Sequence, residues 1–524
     1  MTRVQTAGRP LSGLSEEERY RYFDDLQLTM PTVWESMRLG FDDESVVVVP
    51  SISIEGPSGR SGTIMQAMEE RALFLLLLLR QPRLRMIYVT SQPVSEAIVQ
   101  YYLGLLPGVI PSQARARLTL VPVGDASPES LSAKLLARPR LIREIRDMIP
   151  NPARSHLIPY NTTHLERDVA LSLGIPMYGA DPRLAELGSK TGCRRMFEEL
   201  NVPCPVGAED LHTVDEIVAG VQSMRVRRPS LTEAIVKLNE GVSGSGNALV
   251  DLHGLPASGS PDEPAAIKER LLGMQLESEK LTLEVYLAAF EEHGGIVEER
   301  ITGVVLTSPS VQMRALPDGT TELLSTHDQL LGGKSGQVYL GCVFPADPAY
   351  AAAIAEPAMV IGRYLAGLGV LGRFAVDFVV VQDESGAWTP YAIELNLRKG
   401  GTTHPFLTLQ FLTDGSYDGD RGLFLTPSGS TKYLVATDHL EDDRLKGLTV
   451  EDLFDIVVNH GLHFDQARRT GVVFHMISCL TERGRGGLTA VGDDPADARR
   501  IYDEAHAVLL REAEVALEEG AIIG

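Results

Sequence analysis

The sequence predicts a multidomain protein of the α/β and α+β classes, and three observations carry this prediction. Helix and strand patterns alternate through the first part of the chain, antiparallel hairpin patterns follow, and a shorter acidic α+β region comes last. At 524 residues the chain is too long for a single hydrophobic core. The changes of pattern place the domain boundaries at 1–187, 188–430 and 431–524.

Composition limits the kinds of partner. The formal net charge of −22 at pH 7 excludes the basic surface that nucleic-acid binding requires and favours small molecules or peptides. The longest apolar run, residues 72–79, is far shorter than the roughly 20 residues of a membrane span, so it predicts a buried helix and no membrane association. No apolar signal-peptide core is present near the N-terminus, which predicts a cytoplasmic protein. The four cysteines lack metal or redox spacing and are expected to be reduced.

The first region alternates apolar strands with helices. Strand patterns typical of a buried parallel sheet recur at residues 45–50, 85–90, 117–121 and 155–159. Helical patterns lie between and after them, at residues 65–79, 94–103, 131–148 and 163–173. This alternation predicts a doubly wound parallel sheet. The glycine-rich segment 56–62 lacks the Gly-x-Gly-x-x-Gly spacing, which favours a substrate-facing loop over a cofactor pyrophosphate site.

The second region begins near Gly188, where Ser189 can cap a helix that carries Lys190. Lys237 then interrupts an apolar strand, and a glycine- and serine-rich segment follows it at once. That segment is either a mobile loop whose N–H groups cover phosphates or merely a flexible hairpin tip. Residues 280–287 and 295–301 are predicted to be strands, and residues 347–368 a long helix.

A β-hairpin is predicted over residues 373–381 and 389–396, with its turn at Ser385 and Gly386. Pairing residues equidistant from that turn sets Asp377 opposite Glu394, and the two-residue period puts Asn396 on the face of Glu394. Two buried carboxylates require either protonation or a cation between them. Oxygen ligands without Cys or His suit Mg²⁺ or Mn²⁺. The alternative is a solvated hairpin whose acids face water.

The third region reads as a helix over residues 450–460, a strand over 471–477 and a closing helix over 495–519. Residues 484–487 are predicted to be a loop between strands. His463 and His475 are isolated in the sequence, which favours structural over catalytic roles.

The order of these features resembles the ATP-grasp ligases, and within them the carboxylate–amine ligases of the pheganomycin peptide-ligase type. A lysine-bearing helix, a strand lysine before a Gly/Ser loop, the strand Val297-Glu298-Glu299-Arg300, and Asp377 with Glu394-x-Asn396-x-Arg398 carry the resemblance. It implies an ATP-grasp fold preceded by a Rossmann-like pre-ATP-grasp domain and followed by a small C-terminal α+β region that packs on it.

The resemblance also assigns expected roles. Lys237 and Arg398 would be catalytic, with Arg398 near the transferring phosphate or the acyl phosphate, and Asp377, Glu394 and Asn396 would hold Mg²⁺. ATP would be bound by phosphate-contacting lysines, the Gly/Ser loop and an adenine-binding strand end: Lys190, Lys237, Ser243, Gly244, Ser245, Gly246, Glu298, Glu299, Arg300 and Ile301. Several relatives carry a ribose-binding acid just after Gly303, where this chain has Val304, so the ribose contact stays unassigned.

The activity that the resemblance implies is amide-bond formation through an acyl phosphate, with release of ADP and phosphate. The donor would be a small carboxylic acid, in particular a nonproteinogenic and guanidino-bearing amino acid, and the acceptor the N-terminus of a peptide, in peptide antibiotic biosynthesis. Two alternatives stay open: another ATP-grasp ligase that acts on small acids and amines, and a regulatory protein that binds ATP without turnover. A homodimer is compatible with family habit.

Overall fold

The computed structural model describes residues 11–39, 44–53, 61–239, 246–278, 281–333, 336 and 338–523. Three predicted loop residues, Ser243, Gly244 and Ser245, lie outside the described residues, as does most of the segment 56–62.

The N-terminal region is built around a parallel sheet of four strands in the order β3-β2-β1-β4. Its strands are β1 (Ser45–Val49), β2 (Arg85–Thr90), β3 (Leu118–Pro122) and β4 (Ser155–Pro159). Its α-helices are α1 (Glu16–Gln27), α2 (Met30–Leu39), α3 (Gly62–Arg71), α4 (Glu96–Gly104), α5 (Pro111–Arg115), α6 (Leu131–Leu136), α7 (Pro139–Met148) and α8 (His164–Leu173). Every residue of β1 is buried, as expected for a strand covered on both faces. The predicted parallel α/β arrangement is therefore confirmed.

Two predicted helices of this region differ in detail. The helix expected over 65–79 is α3 followed by a 3₁₀-helix, Ala72–Arg80, whose leucines are nearly all buried. The helix expected over 131–148 is divided into α6 and α7, because Pro139 cannot donate a helical hydrogen bond and starts a new helix. Further 3₁₀ turns lie at Pro152–Arg154 and Pro182–Gly188.

A small lobe follows, with an antiparallel five-stranded sheet in the order β5-β9-β6-β7-β8. Its strands are β5 (Gly207–Leu211), β6 (Glu233–Leu238), β7 (Asn247–Asp251), β8 (Gln275–Leu276) and β9 (Gly295–Glu299). Its helices are α9 (Lys190–Glu199), α10 (Val214–Arg227), α11 (Glu263–Leu272) and α12 (Leu283–His293). The strand predicted over 280–287 is wrong: Thr282 caps α12 here, and Tyr286 and Phe290, four residues apart, bury one helical face.

A nine-stranded sheet forms the rest of the molecule. Its strands follow the order β10-β14-β11-β12-β13-β18-β20-β19. Strands β10 and β11 pair with different parts of one edge of β14, and β15 pairs with the opposite edge. Its strands are β10 (Val305–Thr307), β11 (Pro309–Ala315), β12 (Thr321–Gly332), β13 (Val338–Phe344), β14 (Gly372–Gln382), β15 (Trp388–Asn396), β18 (Tyr433–Glu441), β19 (Gly471–His475) and β20 (Arg485–Gly492). A separate pair is β16 (Ser416–Asp418) and β17 (Leu423–Leu425). The helices are α13 (Pro348–Gly367), α14 (Thr403–Thr413), α15 (Val450–Asn459), α16 (Cys479–Arg483) and α17 (Pro495–Ile523), with a 3₁₀ turn at Asp443–Gly447.

The C-terminal strands thus extend the same sheet, because β18 pairs with β13. Residues 484–487 are not a loop: Gly484, with φ +61°, ends α16, and β20 starts at Arg485. One hydrophobic core joins the 3₁₀-helix Ala72–Arg80, helix α14 and the C-terminal strands. None of the described helices is both long and apolar enough to cross a membrane.

Candidate active site

A cleft of about 620 Å³ opens between the small lobe and the nine-stranded sheet. One wall is formed by β6 and by the end of β9, the other by β14, β15 and the segment after β15, and helix α3 of the N-terminal region contributes to one end. Of the predicted site residues, the cleft is lined by Lys237, Glu298, Glu299, Arg300, Ile301, Asp377, Glu394, Asn396 and Arg398. The fold therefore brings together residues more than a hundred positions apart in the chain.

The acidic hairpin has the pairing that the sequence predicts. Asp377 lies directly opposite Glu394 in the β14–β15 ladder, and the amide of Asn396 donates to Asp377 at 3.0 Å. Burial and the nearby charge of Glu394 raise the pKa of Asp377 to about 6, although Ser310, Gln329 and Arg398 act in the opposite direction. A carboxyl group held this close to protonation at neutral pH gains strongly from a neighbouring cation.

Glu394 is balanced by cations that converge on it. The Lys190 ammonium lies 2.7 Å from its carboxylate, and Lys190 is the first residue of α9, which Ser189 caps by accepting from the Gly192 N–H. Burial alone raises the pKa of Glu394, but Lys190, Arg398 and Lys237 together hold it below its ordinary value. Glu394 therefore stays ionised to a lower pH than Asp377 does.

The oxygen ligands of this hairpin fit a hard divalent cation. Asp377, Glu394 and Asn396 supply carboxylate and amide oxygens from adjacent strands, and the raised pKa of Asp377 shows a negative charge that the protein alone does not fully compensate. Mg²⁺ is commonly held by one or two carboxylates together with substrate phosphates.

The small-lobe wall carries charges that are already paired. The Lys237 ammonium lies 2.5 Å from a carboxylate oxygen of Glu298. Two arginines form similar ion pairs, Arg228 with Glu299 at 2.7 Å and Arg300 with Glu233 at 3.1 Å between nitrogen and oxygen. The N–H groups of Glu299 and Arg300 donate to Val206 and Glu233 within the lobe. These two N–H groups are therefore already hydrogen-bonded within the small lobe.

The predicted phosphate-covering loop is described only at its end. Gly246 is the first described residue after it, and its carbonyl accepts from the Leu238 N–H and from the Tyr286 hydroxyl, both at 3.1 Å. These bonds fix the point at which the chain returns to β7.

Arg398 and the residues after it leave β15 toward the N-terminal region. The guanidinium of Arg398 donates to the Lys399 carbonyl at 3.2 Å, and the Lys399 ammonium donates to the Pro159 carbonyl. Burial, with a smaller contribution from Arg373, lowers the pKa of Lys399 to about 7. This segment forms the cleft wall where the N-terminal sheet meets the nine-stranded sheet.

A second polar cluster was missed by sequence reasoning. Asp438 on β18 contacts His404 on α14 and His475 on β19, and Arg71 on α3 lies 2.5 Å from its other carboxylate oxygen. Burial lowers the pKa of His404 to about 3. Burial raises the pKa of Asp438, but Arg71 and the histidines outweigh it and hold that pKa well below its ordinary value. No motif signals this cluster, because its members are spread from position 71 to position 475.

Family comparisons match two parts of the chain. The family described as "IQCH-like, ATP-grasp" matches residues 182–280 and 277–420, and the family described as "PGM1 C-terminal domain" matches residues 452–505. The first match contains the whole acidic hairpin and both predicted phosphate lysines.

Two relatives align over most of the chain. L-propargylglycine–L-glutamate ligase of Streptantibioticus cattleyicolor is 28% identical over 449 residues, covering 84% of this chain and 89% of that protein. IQ motif-containing protein H of Danio rerio is 23% identical over 495 residues, covering 85% of this chain but 46% of that protein. The chain thus spans less than half of the second relative.

Solved structures share the fold at low sequence identity. The ADP complex of purK, N5-carboxyaminoimidazole ribonucleotide synthetase, superposes with a TM-score of 0.50 at 10% identity, covering 90% of this chain and 98% of that one. A biotin carboxylase–ATP complex from Campylobacter jejuni gives 0.51 at 13% identity, covering 90% and 95%. The chain is therefore similar in sequence to an ATP-grasp family over residues 182–420, and it shares the fold of these two solved structures.

Proposed function

We propose that this protein is an ATP-dependent ligase that forms an amide bond through an acyl phosphate. The observation that carries the proposal is the convergence of Lys190, Lys237 and Arg398 on Glu394, next to Asp377 with its raised pKa of about 6, in a cleft of about 620 Å³. The carboxylates could bind a metal ion, and the lysines and the arginine could bind phosphates. Both groups lie at a cleft that is large enough for a nucleoside triphosphate.

The chemistry follows from these groups. The donor carboxylate attacks the γ-phosphate of ATP, the bond to ADP breaks, and an acyl phosphate forms; the acceptor amine then attacks the acyl carbon and phosphate leaves. Phosphoryl transfer depends mostly on positioning and charge neutralisation. Mg²⁺, when bound by Asp377, Glu394 and Asn396, would neutralise charge on the phosphates. Lys190 and Lys237 would orient the phosphates, and Arg398 would face the group in transfer. No protein nucleophile is required.

The donor that we propose is an amino-acid-like carboxylate, and the acceptor is the amine of an amino acid or of a peptide N-terminus. The relative from Streptantibioticus cattleyicolor is named for joining L-propargylglycine to L-glutamate, which supports a nonproteinogenic donor. A guanidino-bearing donor and a peptide acceptor are the more specific form of the proposal, within peptide natural-product biosynthesis in the cytoplasm.

The test is an isotope-transfer assay. Candidate donors whose carboxylate carries ¹⁸O are incubated with ATP, Mg²⁺ and an amine acceptor, and the released nucleotide and phosphate are analysed by mass spectrometry. We expect ADP and phosphate carrying one ¹⁸O atom, because the donor oxygen stays with phosphorus when the amine displaces it.

Other products would decide against the proposal. AMP and pyrophosphate would contradict the acyl-phosphate route. ATP binding with no acceptor-dependent turnover, across amino-acid, guanidino-acid and peptide substrates, would favour a regulatory role. Turnover with simple acids and polyamines alone would keep the ligase chemistry and overturn the amino-acid assignment.

A further inference from the structure

Beyond the ATP site, the structure contains a buried cluster of nitrogen and oxygen ligands where all three regions of the chain meet. His404 lies at the start of α14, Asp438 on β18, and His475 at the end of β19. Each of the three is at most 5% exposed. Within the described residues, this is the group of His, Cys, Asp and Glu side chains whose ligand atoms converge closely enough to hold one metal ion.

The three ligand atoms form a compact triangle. The His404 and His475 Nε2 atoms are 3.0 Å apart, and the Asp438 Oδ1 atom lies 2.8 Å from His475 and 3.2 Å from His404. An ion about 2.0–2.1 Å from all three atoms, the usual zinc–nitrogen distance, fits about 1 Å above the plane of such a triangle.

With Asp438 ionised beside Arg71, hydrogen bonds satisfy this triangle only in part. If both Nε2 atoms carry hydrogen, the two N–H groups of His404 and His475 face each other. If only one carries hydrogen, the lone pair of the other faces the Asp438 oxygen. A cation bound to all three atoms accepts their lone pairs at once and removes the conflict.

The surroundings hold the ligands in position. Arg71 binds the Oδ2 atom of Asp438 at 2.5 Å and donates to the Tyr160 hydroxyl at 2.7 Å, which leaves Oδ1 turned to the histidines. Gly487 pairs with His475 in the β19–β20 ladder, and a Cβ atom at Gly487 would lie 2.0 Å from His475 Nε2. Only glycine fits at position 487 without displacing the imidazole ring of His475, which lies over this strand.

We propose that His404, Asp438 and His475 bind a divalent cation of the zinc class, separate from the Mg²⁺ expected at Asp377 and Glu394. Two imidazoles and one carboxylate are a ligand set typical of Zn²⁺, and three protein ligands leave a tetrahedral ion one further position for water or a substrate group. Asp438 itself lines the cleft, so the ion would lie at the cleft wall.

Metal analysis tests this proposal without an activity assay. The untagged full-length protein is equilibrated with Zn²⁺ in excess Mg²⁺, dialysed against metal-free buffer, and analysed by mass spectrometry for bound zinc. We expect about one zinc per chain in the wild type and in Glu394→Gln, and less than about 0.2 in His404→Ala and His475→Ala. A wild type without zinc, or equal zinc in all variants, would overturn the proposal.

A pair of neighbouring glycines provides a variant in which none of the three ligand residues is replaced. Gly487→Ala should displace the His475 ring and release the zinc, whereas Gly486→Ala, whose new Cβ would meet its nearest neighbour at 3.6 Å, should keep it. Zn²⁺ should also raise the melting temperature of the wild type and of Gly486→Ala but not of Gly487→Ala. If Gly487→Ala retains zinc and the same melting shift, the ion is not held by His475 and the proposal fails.

Discussion

Two polar clusters lie at or behind the cleft wall, and they differ in their ligand atoms and in their exposure. The first, Asp377 with Glu394 and Asn396, consists of oxygens on two adjacent strands and partly faces the cleft. The second, His404 with Asp438 and His475, is richer in nitrogen, is fully buried, and joins three elements. Oxygen ligands that face the cleft suit a Mg²⁺ ion that also binds nucleotide phosphates. A buried set of ligands that includes two imidazoles suits a metal ion that stays bound to the protein.

The largest effect is expected from removing the charge of Glu394. Glu394→Gln should lower turnover by about 10³-fold, because it removes a metal ligand and leaves Lys190 without its anionic partner. ADP release at saturating donor and acceptor is the measurement. Glu384→Gln, in the exposed turn of the same hairpin, is the control and should behave like the wild type. Unchanged turnover in Glu394→Gln would remove the first cluster from the catalytic site.

A pH-dependent effect is expected at Asp377. Its pKa is raised in the folded protein to about 6, so its contribution to metal-free stability is present below the unfolded pKa of about 4 and is lost as pH rises through 6. Asp377→Asn should therefore stabilise the metal-free protein by about 1–2 kcal/mol at pH 7.5, with no gain near pH 4. Chemical denaturation at both pH values, with and without Mg²⁺, measures this.

Mg²⁺ supplies the internal check for this variant. It should stabilise the wild type above pH 6 and have much less effect on Asp377→Asn. A gain in Asp377→Asn that is equal at pH 4 and pH 7.5 would show that the carboxyl group is not titrating, and the argument from charge would fail.

A smaller effect is expected from the cap of α9. Ser189→Ala removes the hydrogen bond to the Gly192 N–H and should cost about 1 kcal/mol of unfolding free energy. Since α9 places Lys190 beside Glu394, the KM for ATP should also rise. Ser15→Ala removes the equivalent cap of α1, far from the cleft, and should lower stability without changing that KM. Equal KM values in the two variants would contradict a positioning role for the cap.

The smallest expected effect tests whether the two clusters act separately. Gly487→Ala, which should disturb His475, is expected to change the affinity for ATP by less than about threefold, because neither residue is among those that line the cleft. Isothermal titration with a non-hydrolysable ATP analogue measures this affinity. A loss of ATP binding as large as that in Glu394→Gln would show that the clusters form a single site.

The first cluster could be predicted from sequence because its members lie in one hairpin. The pairing of Asp377 with Glu394 is confirmed, although the register along the hairpin differs from the predicted one. Near the turn, Gln382 pairs with Trp388, and a bulge between Asp377 and Phe378 then shifts the register by one residue. The pairs near the turn are centred on Ser385 and not between Ser385 and Gly386. The bulge compensates for this difference, so counting from the predicted turn gives the correct partner for Asp377.

The rest could not be read from local patterns. The Thr282 cap, together with Tyr286 and Phe290 on one face, makes a helix of a segment rich in residues that favour strands. His475 looked isolated because its partners His404 and Asp438 lie on other elements, and the position of Asp438 beside it is set by the strand order of the sheet. Long-range strand pairing, and not propensity, decides both the C-terminal architecture and this cluster.

The continuity of the nine-stranded sheet has a consequence for how such proteins can diverge. Because β18 occupies one edge of β13, removing the chain from residue 431 onward would expose a long apolar strand edge, which promotes aggregation. The C-terminal region is therefore not an exchangeable module. The small lobe, by contrast, has its own sheet and its own hydrophobic core.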